Sequence, residues 1–430
     1  MNKFALRPLV AALVLTAPVM SAFATDGYFS HGYGMKAKGM GGAATTYTDS
    51  AFAGANNPAL SSWAGNRTEA GLDWFSPKRS ADAALAGGAT VTSDSNSFFI
   101  PEFGYNRTLD AKWSYGVTVY GNGGMNTDYP TNPVGGGNSP MGVNLQQLVV
   151  APTLSYKLDE SQSVGVSPLL IYQTIEVKGI GHFHGGALGN WSSNGSALSN
   201  NGGSSSTGMG VRLGYFKKLT DNINVGASYS PKVKMSQFDK YSGLFNGSFD
   251  IPENYNLGAS VQIAPDVKLS MDYQRINYNK VKAIGNPTAN LLQCGGGLGD
   301  PSYCLGAANG AGFGWQNINV IKLGVEWKQT SALTLRAGYN RSDNPVKSED
   351  VTFNIMAPGI MTKHYTLGGT YDLDKASEVT FAYMYSPANS VTGPNLFKGQ
   401  NMGGNTVPTN ATDTIRMKQQ SLGIQYGWKF

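Results

Sequence analysis

Beyond the amino-terminal stretch, no run approaches the roughly 20 consecutive apolar residues that a membrane-spanning helix needs, so helical membrane classes are excluded. Charge is also scarce, at 14% of residues, and the net +5 is spread along the chain without a basic block, which argues against a nucleic-acid partner. Only four histidines occur, His31, His182, His184 and His364. His182 and His184 alternate in a Gly-rich loop with no Cys, Asp or Glu in a ligand spacing, so no metal or other cofactor is expected. No Gly-x-Ser-x-Gly turn stands between a strand and a helix, and the chain is not expected to be an enzyme. A barrel protease or lipase would need an acid, a His and a nucleophile converging at one rim, where only the two loop histidines and His364 are placed. The two cysteines, Cys294 and Cys304, lie close together in a Gly-rich segment without a His neighbour; one local disulfide is expected in an oxidising compartment.

That compartment is implied by the amino terminus. Lys3 and Arg7, the apolar run Leu9 to Met20 and the small-x-small Ala22-Phe23-Ala24 read as a signal peptide over Met1 to Ala24; Pro18 and the shortness of the run weigh against an anchor. The chain as a whole is rich in Gly (56 residues) and aromatics (11%), a composition suited to strands, turns and long polar loops.

Ser421 to Phe430 alternates without a fault, placing Leu422, Ile424, Tyr426, Trp428 and Phe430 on one face and Ser421, Gln425 and Lys429 on the other. Similar segments are Glu69 to Phe75, Phe98 to Arg107, Trp113 to Tyr120, Leu148 to Leu158, Val164 to Val177, Gly208 to Leu219 and Ile223 to Lys234. They continue with Tyr255 to Ile263, Val267 to Val281, Val320 to Lys328, Leu333 to Arg341, Tyr365 to Leu373, Val379 to Tyr385 and the terminal Ile415 to Phe430. Their connections alternate in kind. Leu109 to Ala111, Asp159 to Ser161, Thr220 to Asn222, Ala264 to Asp266, Gln329 to Ser331 and Asp374 to Ala376 are tight turns, whereas Asn122 to Asn144, Gly179 to Ser206, Lys282 to Gly312, Asn344 to Thr362 and Ser386 to Thr412 are long. Such sorting predicts an all-β, antiparallel transmembrane barrel of 14 strands over residues 67–430, in the outer membrane of a Gram-negative bacterium, with its short hairpins in the periplasm. The fourth long connection, around Asp239 to Asn246, reads as short.

Residues 25–66 do not read as a strand. Small residues dominate, but Tyr28, Phe29, Tyr47, Phe52 and Trp63 are anchors that a free tail does not need, so the segment is expected to plug the lumen.

Gly32 to Gly34, the Gly-Met-Gly-Gly-Ala run at Gly39 to Ala43, and Asn57-Pro58-Ala59-Leu60 resemble the FadL family of outer-membrane transporters for long-chain fatty acids and aromatic hydrocarbons. The resemblance continues to Phe430. It implies an amino-terminal hatch closed by Asn57 and Pro58, a third strand kinked inward to leave a gap in the wall, a monomer, and passive uptake with lateral release into outer-membrane lipid. The positions matching the kink are Gly121, Asn122, Gly123 and Gly124; read alone, these residues serve equally as a kink or as the start of the next loop.

A hydrophobic small molecule is the expected partner, long-chain fatty acids first and neutral aromatic hydrocarbons as the alternative, with an adhesin or general porin as the rival class. Phe183, Leu188, Trp191 and Leu198 are the large apolar residues of their loop and the expected capture surface, with packing onto neighbouring loops as the other reading. Tyr28 and Phe29 are expected at the pocket floor. The family's fatty-acid members place basic residues where this chain has Thr174 and Gln316; Lys178 and Lys322 stand nearby, out of register. Either those lysines pair the carboxylate or the ligand is neutral, because a buried carboxylate without a cation is costly.

Overall fold

The computed structural model describes residues 26–135, 139–185, 189–245, 249–402 and 405–430; the expected signal peptide and Leu188 lie outside them. Among the described residues fourteen long strands form one antiparallel sheet: β1 Arg67–Asp82, β2 Phe98–Thr108, β3 Trp113–Tyr129, β4 Met141–Lys157, β5 Gln162–Lys178, β6 Ser204–Lys218 and β7 Ile223–Ser230. The second half is β8 Asn254–Ala264, β9 Val267–Ile276, β10 Ile318–Lys328, β11 Leu333–Ser342, β12 Lys363–Asp372, β13 Ser377–Pro394 and β14 Thr412–Lys429. Each strand pairs with its sequence neighbour, and β14 returns to β1 from Arg67↔Lys429 to Asp82↔Thr414, closing the barrel. Closure leaves the sheet without an unpaired end strand at membrane depth, where an unpaired backbone group would cost several kcal/mol, and the pairing is interrupted locally beside β3.

Every one of the fourteen strands exposes at least one large apolar side chain, from Leu72 and Phe99 through Leu257 and Leu323 to Phe381 and Ile424. Period-two alternation turns the intervening residues inward, so the exposed set forms the belt that meets lipid. At one end the turns are tight, and in most of them a side chain satisfies the backbone of the turn. Asp110 accepts from the Lys112 and Trp113 amides at 2.8 Å, and Asp374 from those of Ala376 and Ser377 at 2.7 and 2.8 Å.

Several strands run further than alternation in the sequence shows. β3 continues through the glycines to Tyr129 and β13 to Pro394, because barrel strands project past the lipid, where a polar residue costs nothing on either face. The fourth outer connection is not short: β7 ends at Ser230, ahead of Pro231, and the chain does not rejoin the barrel until Asn254. Its Val233 and Met235 bridge Ile251 and Gly208, folding the connection over the barrel mouth.

Candidate functional site

Residues 26–66 lie inside the barrel. Tyr28, Phe29, Tyr47 and Phe52 are buried, and Trp63 packs on Phe216 at the inner rim. The path is held by a short helix, α1 (Met35–Gly39), a second, α2 (Ala53–Asn56), and a 3-10 turn, Pro58–Trp63. Asn57 caps that turn, its Oδ1 accepting from the Ala59 amide at 3.1 Å, while its Nδ2 donates to the carbonyls of Thr45 and Tyr215 at 2.9 Å. One amide thus ties the segment to itself and to the wall, and Pro58 occupies the first helical position, where no amide is needed.

Charge fastens the rest. Lys36 Nζ lies 2.6 Å from Glu378 and 3.3 Å from Asp49, and Lys38 Nζ lies 3.0 Å from Asp73 and 3.1 Å from Glu102. Burial pulls the Lys38 ammonium down, but the two carboxylates outweigh it and hold it above the usual amine range. Asp272 accepts from the amides of Ala44 and Thr45 at 2.8 Å and from the Thr45 hydroxyl at 2.7 Å. Gly42 has φ +82° and faces the His31 carbonyl so closely that a side chain there would displace it. At the start of the segment burial pushes the Asp26 carboxyl up to about 6, against the pull of Lys322 and a hydrogen bond from Asn340.

The third strand carries an interruption in the wall. β2 and β3 pair only from Phe103↔Val119 to Thr108↔Ser114, so Tyr120–Tyr129 leaves β2 while staying on β4. Between Gly121 and Gly123 the register with β4 slips by one, leaving Asn122 as a bulge. The bulge changes parity: Thr118 and Tyr120 face inward before it, Met125, Thr127 and Tyr129 after it. The amino-terminal segment takes the freed groups, with Ser30 N donating to Asn122 O at 3.1 Å and Gly124 N to Tyr28 O at 3.2 Å. A Cβ on Gly123 would overlap the Tyr28 carbonyl, so only glycine permits this approach. Toward the outer end the break is closed by Asp94 N donating to Asp128 O at 2.9 Å. Gly121, Asn122, Gly123 and Gly124 are therefore part of a bent strand, not the start of a loop.

Two cavities are lined by these elements, one among the outer loops and one against the bent strand. The outer one, about 60 Å³ in volume, is walled by the loops; Phe183, Phe245, Phe313, Phe353 and Phe397 line it, and among the described residues Thr352 is its one side chain with a polar atom. The Cys294–Cys304 disulfide sets its wall, since Leu291 precedes one cysteine on a short helix and Leu305 follows the other. The inner cavity, about 10 Å³ and so with room for about one water, lies between Tyr28, Trp315 and Phe75 and reaches Gly124 and Met125 on the bent strand. Tyr28 and Trp315 line it and Tyr278 packs against both, with ring centroids 5.1 to 6.2 Å apart.

The expected site residues divide. Phe183 lines the outer cavity and stacks on Phe397 at 5.7 Å; Trp191 meets the same ring edge-on at 5.5 Å, and Leu198 is fully buried, so loop packing and cavity wall are one structure. Tyr28 lines the inner cavity, whereas Phe29 is not among its lining residues and bridges Gly123 on the bent strand. The proposed carboxylate partners do not converge. Thr174 and Lys178 point outward, because Ile171, Gln173, Ile175 and Val177 take the inward parity of β5 and leave them the other face. Lys178 pairs there with Glu176 at 3.6 Å. Gln316 is exposed and donates to Asn344 O at 2.8 Å, while its neighbour Trp315 turns inward. Lys322 does face the lumen, yet it serves the hatch, donating to His31 O at 2.9 Å. His31 stacks on His364 at 6.1 Å, held by burial, then by His364 and the nearby lysines, well below its usual range and hence neutral.

None of the curated protein sequences matches the chain. Among solved structures, the toluene transporter TodX of Pseudomonas putida superposes with a TM-score of 0.69 at 20% identity, covering 94% of this chain and 100% of TodX. The Ralstonia pickettii toluene transporter TbuX gives 0.63 at 18% identity (93% and 99% covered), and a Pseudomonas aeruginosa FadL homologue 0.66 at 12% identity (94% and 99% covered). These likenesses show the fold. The model of the outer membrane protein transport protein family (OMPP1/FadL/TodX) matches residues 11–430, so the chain belongs to that family and is an outer-membrane channel for hydrophobic compounds of Gram-negative bacteria, not an enzyme.

Proposed function

We propose that this channel takes up neutral aromatic hydrocarbons passively, as a monomer, and releases them sideways through the break beside β3. The observation that carries the reading is the outer cavity: among the described residues its walls hold no charged side chain, and the lysines that might have met a carboxylate stand elsewhere. Moving a hydrocarbon from water onto such walls gains about 25 cal/mol per Å² of apolar area buried, so a path ending in lipid needs no energy input. TodX and TbuX, both described as toluene transporters, support the same cargo class. Long-chain fatty acids, the first expectation from sequence, require a cation that this cavity does not offer. The exposed apolar belt, continuous over all fourteen strands, supports a barrel surrounded by lipid. The test is uptake by cells lacking and then regaining the protein. Rescue of toluene without rescue of a long-chain fatty acid is expected; rescue of the fatty acid alone contradicts the neutral cargo, and rescue of neither moves the function to the outer loops.

A further inference from the structure

We propose that the lipid-facing wall over β8 to β12 seats one molecule of lipopolysaccharide, with a lipid A phosphate between Arg341 and Lys363 and an acyl chain in the groove beneath them. Nothing in the proposal depends on what the channel carries.

Strand register arranges the outward side chains in rows. In one row Tyr339, Tyr365, Tyr385 and Gln420 lie directly opposite one another on β11 to β14. Tyrosines mark the depth at which the apolar belt meets the headgroups, because each puts a ring in lipid and a hydroxyl in water. Two residues nearer the outer loops the row turns cationic: Arg341 stands opposite Lys363, and Lys418 opposite Lys78 on β1. All four are exposed, at the height where lipid phosphates lie. The pair on β11 and β12 has more around it. Like charges directly opposite on a sheet repel, and among the described residues neither Arg341 nor Lys363 has an ion pair or a side-chain hydrogen bond to relieve this. Arg275, on β9 and one row further out, donates to the neutral amide oxygens of Asn277 at 3.2 Å and Asn319 at 2.8 Å. Asp343, two residues beyond Arg341, instead accepts from the backbone and side-chain amides of Asn319 at 2.9 and 2.8 Å. Three cations therefore border one area without a carboxylate partner. A phosphate between Arg341 and Lys363 would turn their repulsion into two charge-assisted contacts.

The wall beneath this pair is concave. An open groove of about 620 Å³ crosses the lipid face of β8 to β11, its floor set by Ala259 and Ala337 and its sides by Leu269, Met271, Leu323 and Tyr339. Tyr339 belongs both to the groove and to the tyrosine row, so the groove begins directly below Arg341. In the row of Ala337 the wall beneath Lys418 and Lys78 carries Leu422 and Trp74, side chains that fill the space the alanine leaves open. A phosphate site directly above an apolar groove matches a lipid with a phosphorylated head and several chains, and the loop end of the barrel faces the leaflet built of lipopolysaccharide. A second copy of the chain, docked face to face, would bring the same unpaired cations against these.

The test is native mass spectrometry of the full-length protein in detergent, titrated with bis-phosphorylated lipid A, with the same lipid stripped of phosphate, and with phosphatidylglycerol. One lipid A per barrel is expected, bound about tenfold or more tightly than the dephosphorylated form, the preference typical of charge-assisted contacts. Arg341→Gln together with Lys363→Gln should remove that preference. Ala337→Trp, which fills the groove and keeps both cations, should weaken lipid A about tenfold. Lys78→Gln together with Lys418→Gln, the same loss of charge at the same height, should leave binding as in the wild type. Equal binding of the two lipid A forms, a preference surviving the Arg341 and Lys363 changes, or equal weakening by the Lys78 and Lys418 changes overturns the proposal. Should the Arg341 and Lys363 variant not fold, an Ala337→Trp protein that binds lipid A as the wild type does overturns it instead. Phosphatidylglycerol bound as tightly as lipid A, or lipid A displaced by millimolar inorganic phosphate, overturns the assignment to lipopolysaccharide.

Discussion

Replacing Lys38 by Met should unlock the hatch without unfolding the barrel. Lys38 Nζ sits 3.0 Å from Asp73 on β1 and 3.1 Å from Glu102 on β2, all three buried, so its loss leaves two carboxylates facing each other with no cation. Removing one partner of a buried pair costs about 3–5 kcal/mol. The lower figure already gives a measurable effect. At about 1.4 kcal/mol per factor of ten, roughly 3 kcal/mol shifts the docked-to-undocked ratio by about a hundredfold. Because the segment fills the lumen, that shift is readable as ionic conductance in planar bilayers and as entry of large polar antibiotics into cells. The fourteen-strand ladder is untouched, so heat-modifiable migration on gels should stay as in the wild type. Adding Asp73→Asn and Glu102→Gln to Lys38→Met removes the stranded charges and should restore most of the closure. Unchanged conductance in the single variant, or no recovery in the triple, would refute charge pairing as what seats the hatch.

Placing a carboxylate on the outer cavity wall, Phe397→Asp, should lower toluene uptake about tenfold or more, since an ionised group there draws water into a space now lined by rings; normal uptake in a cell assay would contradict capture at this cavity. A pH effect is expected at Asp26, whose carboxyl is pushed up to about 6 from an ordinary 3.8. A raised acid pKa means the docked state binds the proton more tightly, so docking of the amino-terminal strand weakens as pH rises from about 4 to 6 and is level above. Hydrogen exchange of the Tyr28 and Phe29 amides, corrected for intrinsic rates, should show less protection at pH 7.5 than at pH 5, and Asp26→Asn should flatten the difference.

Architecture was legible because it rests on parity and turn chemistry, both local. The stripe of Leu422, Ile424, Tyr426, Trp428 and Phe430 is exposed or half-exposed as period two requires, and the tight turns lie where Asp110, Asp159 and Asp374 announce them. The same parity argument, carried one step further along β5, places Thr174 and Lys178 with the exposed Leu170 and Tyr172, a signal that outweighs their match to a family position. Other features are tertiary and leave little trace in order of residues. Gly121 to Gly124 is compatible with a loop until Tyr28 and Ser30 are seen to take the freed hydrogen bonds. Lys36 and Lys38 look like two charges in a small-residue stretch, and only the inward parity of Glu69, Asp73 and Glu102 on two separate strands hints at their partners. The aromatic cluster around Tyr28 draws Phe249, Tyr278 and Trp315 from distant places, and no spacing rule joins them.

Lateral release can be tested at one residue. Deleting Asn122 removes the bulge while keeping Met125, Thr127 and Tyr129 on the inward face, because the register with β4 slips by one at that point. β3 could then continue along β2 past Val119 and seal the wall. Toluene uptake by cells carrying the deletion, compared with wild type at equal amounts of folded barrel, is the most direct measurement. Uptake falling to the level of cells without the protein is the predicted result; uptake at the wild-type rate through a straightened third strand would contradict release through the wall.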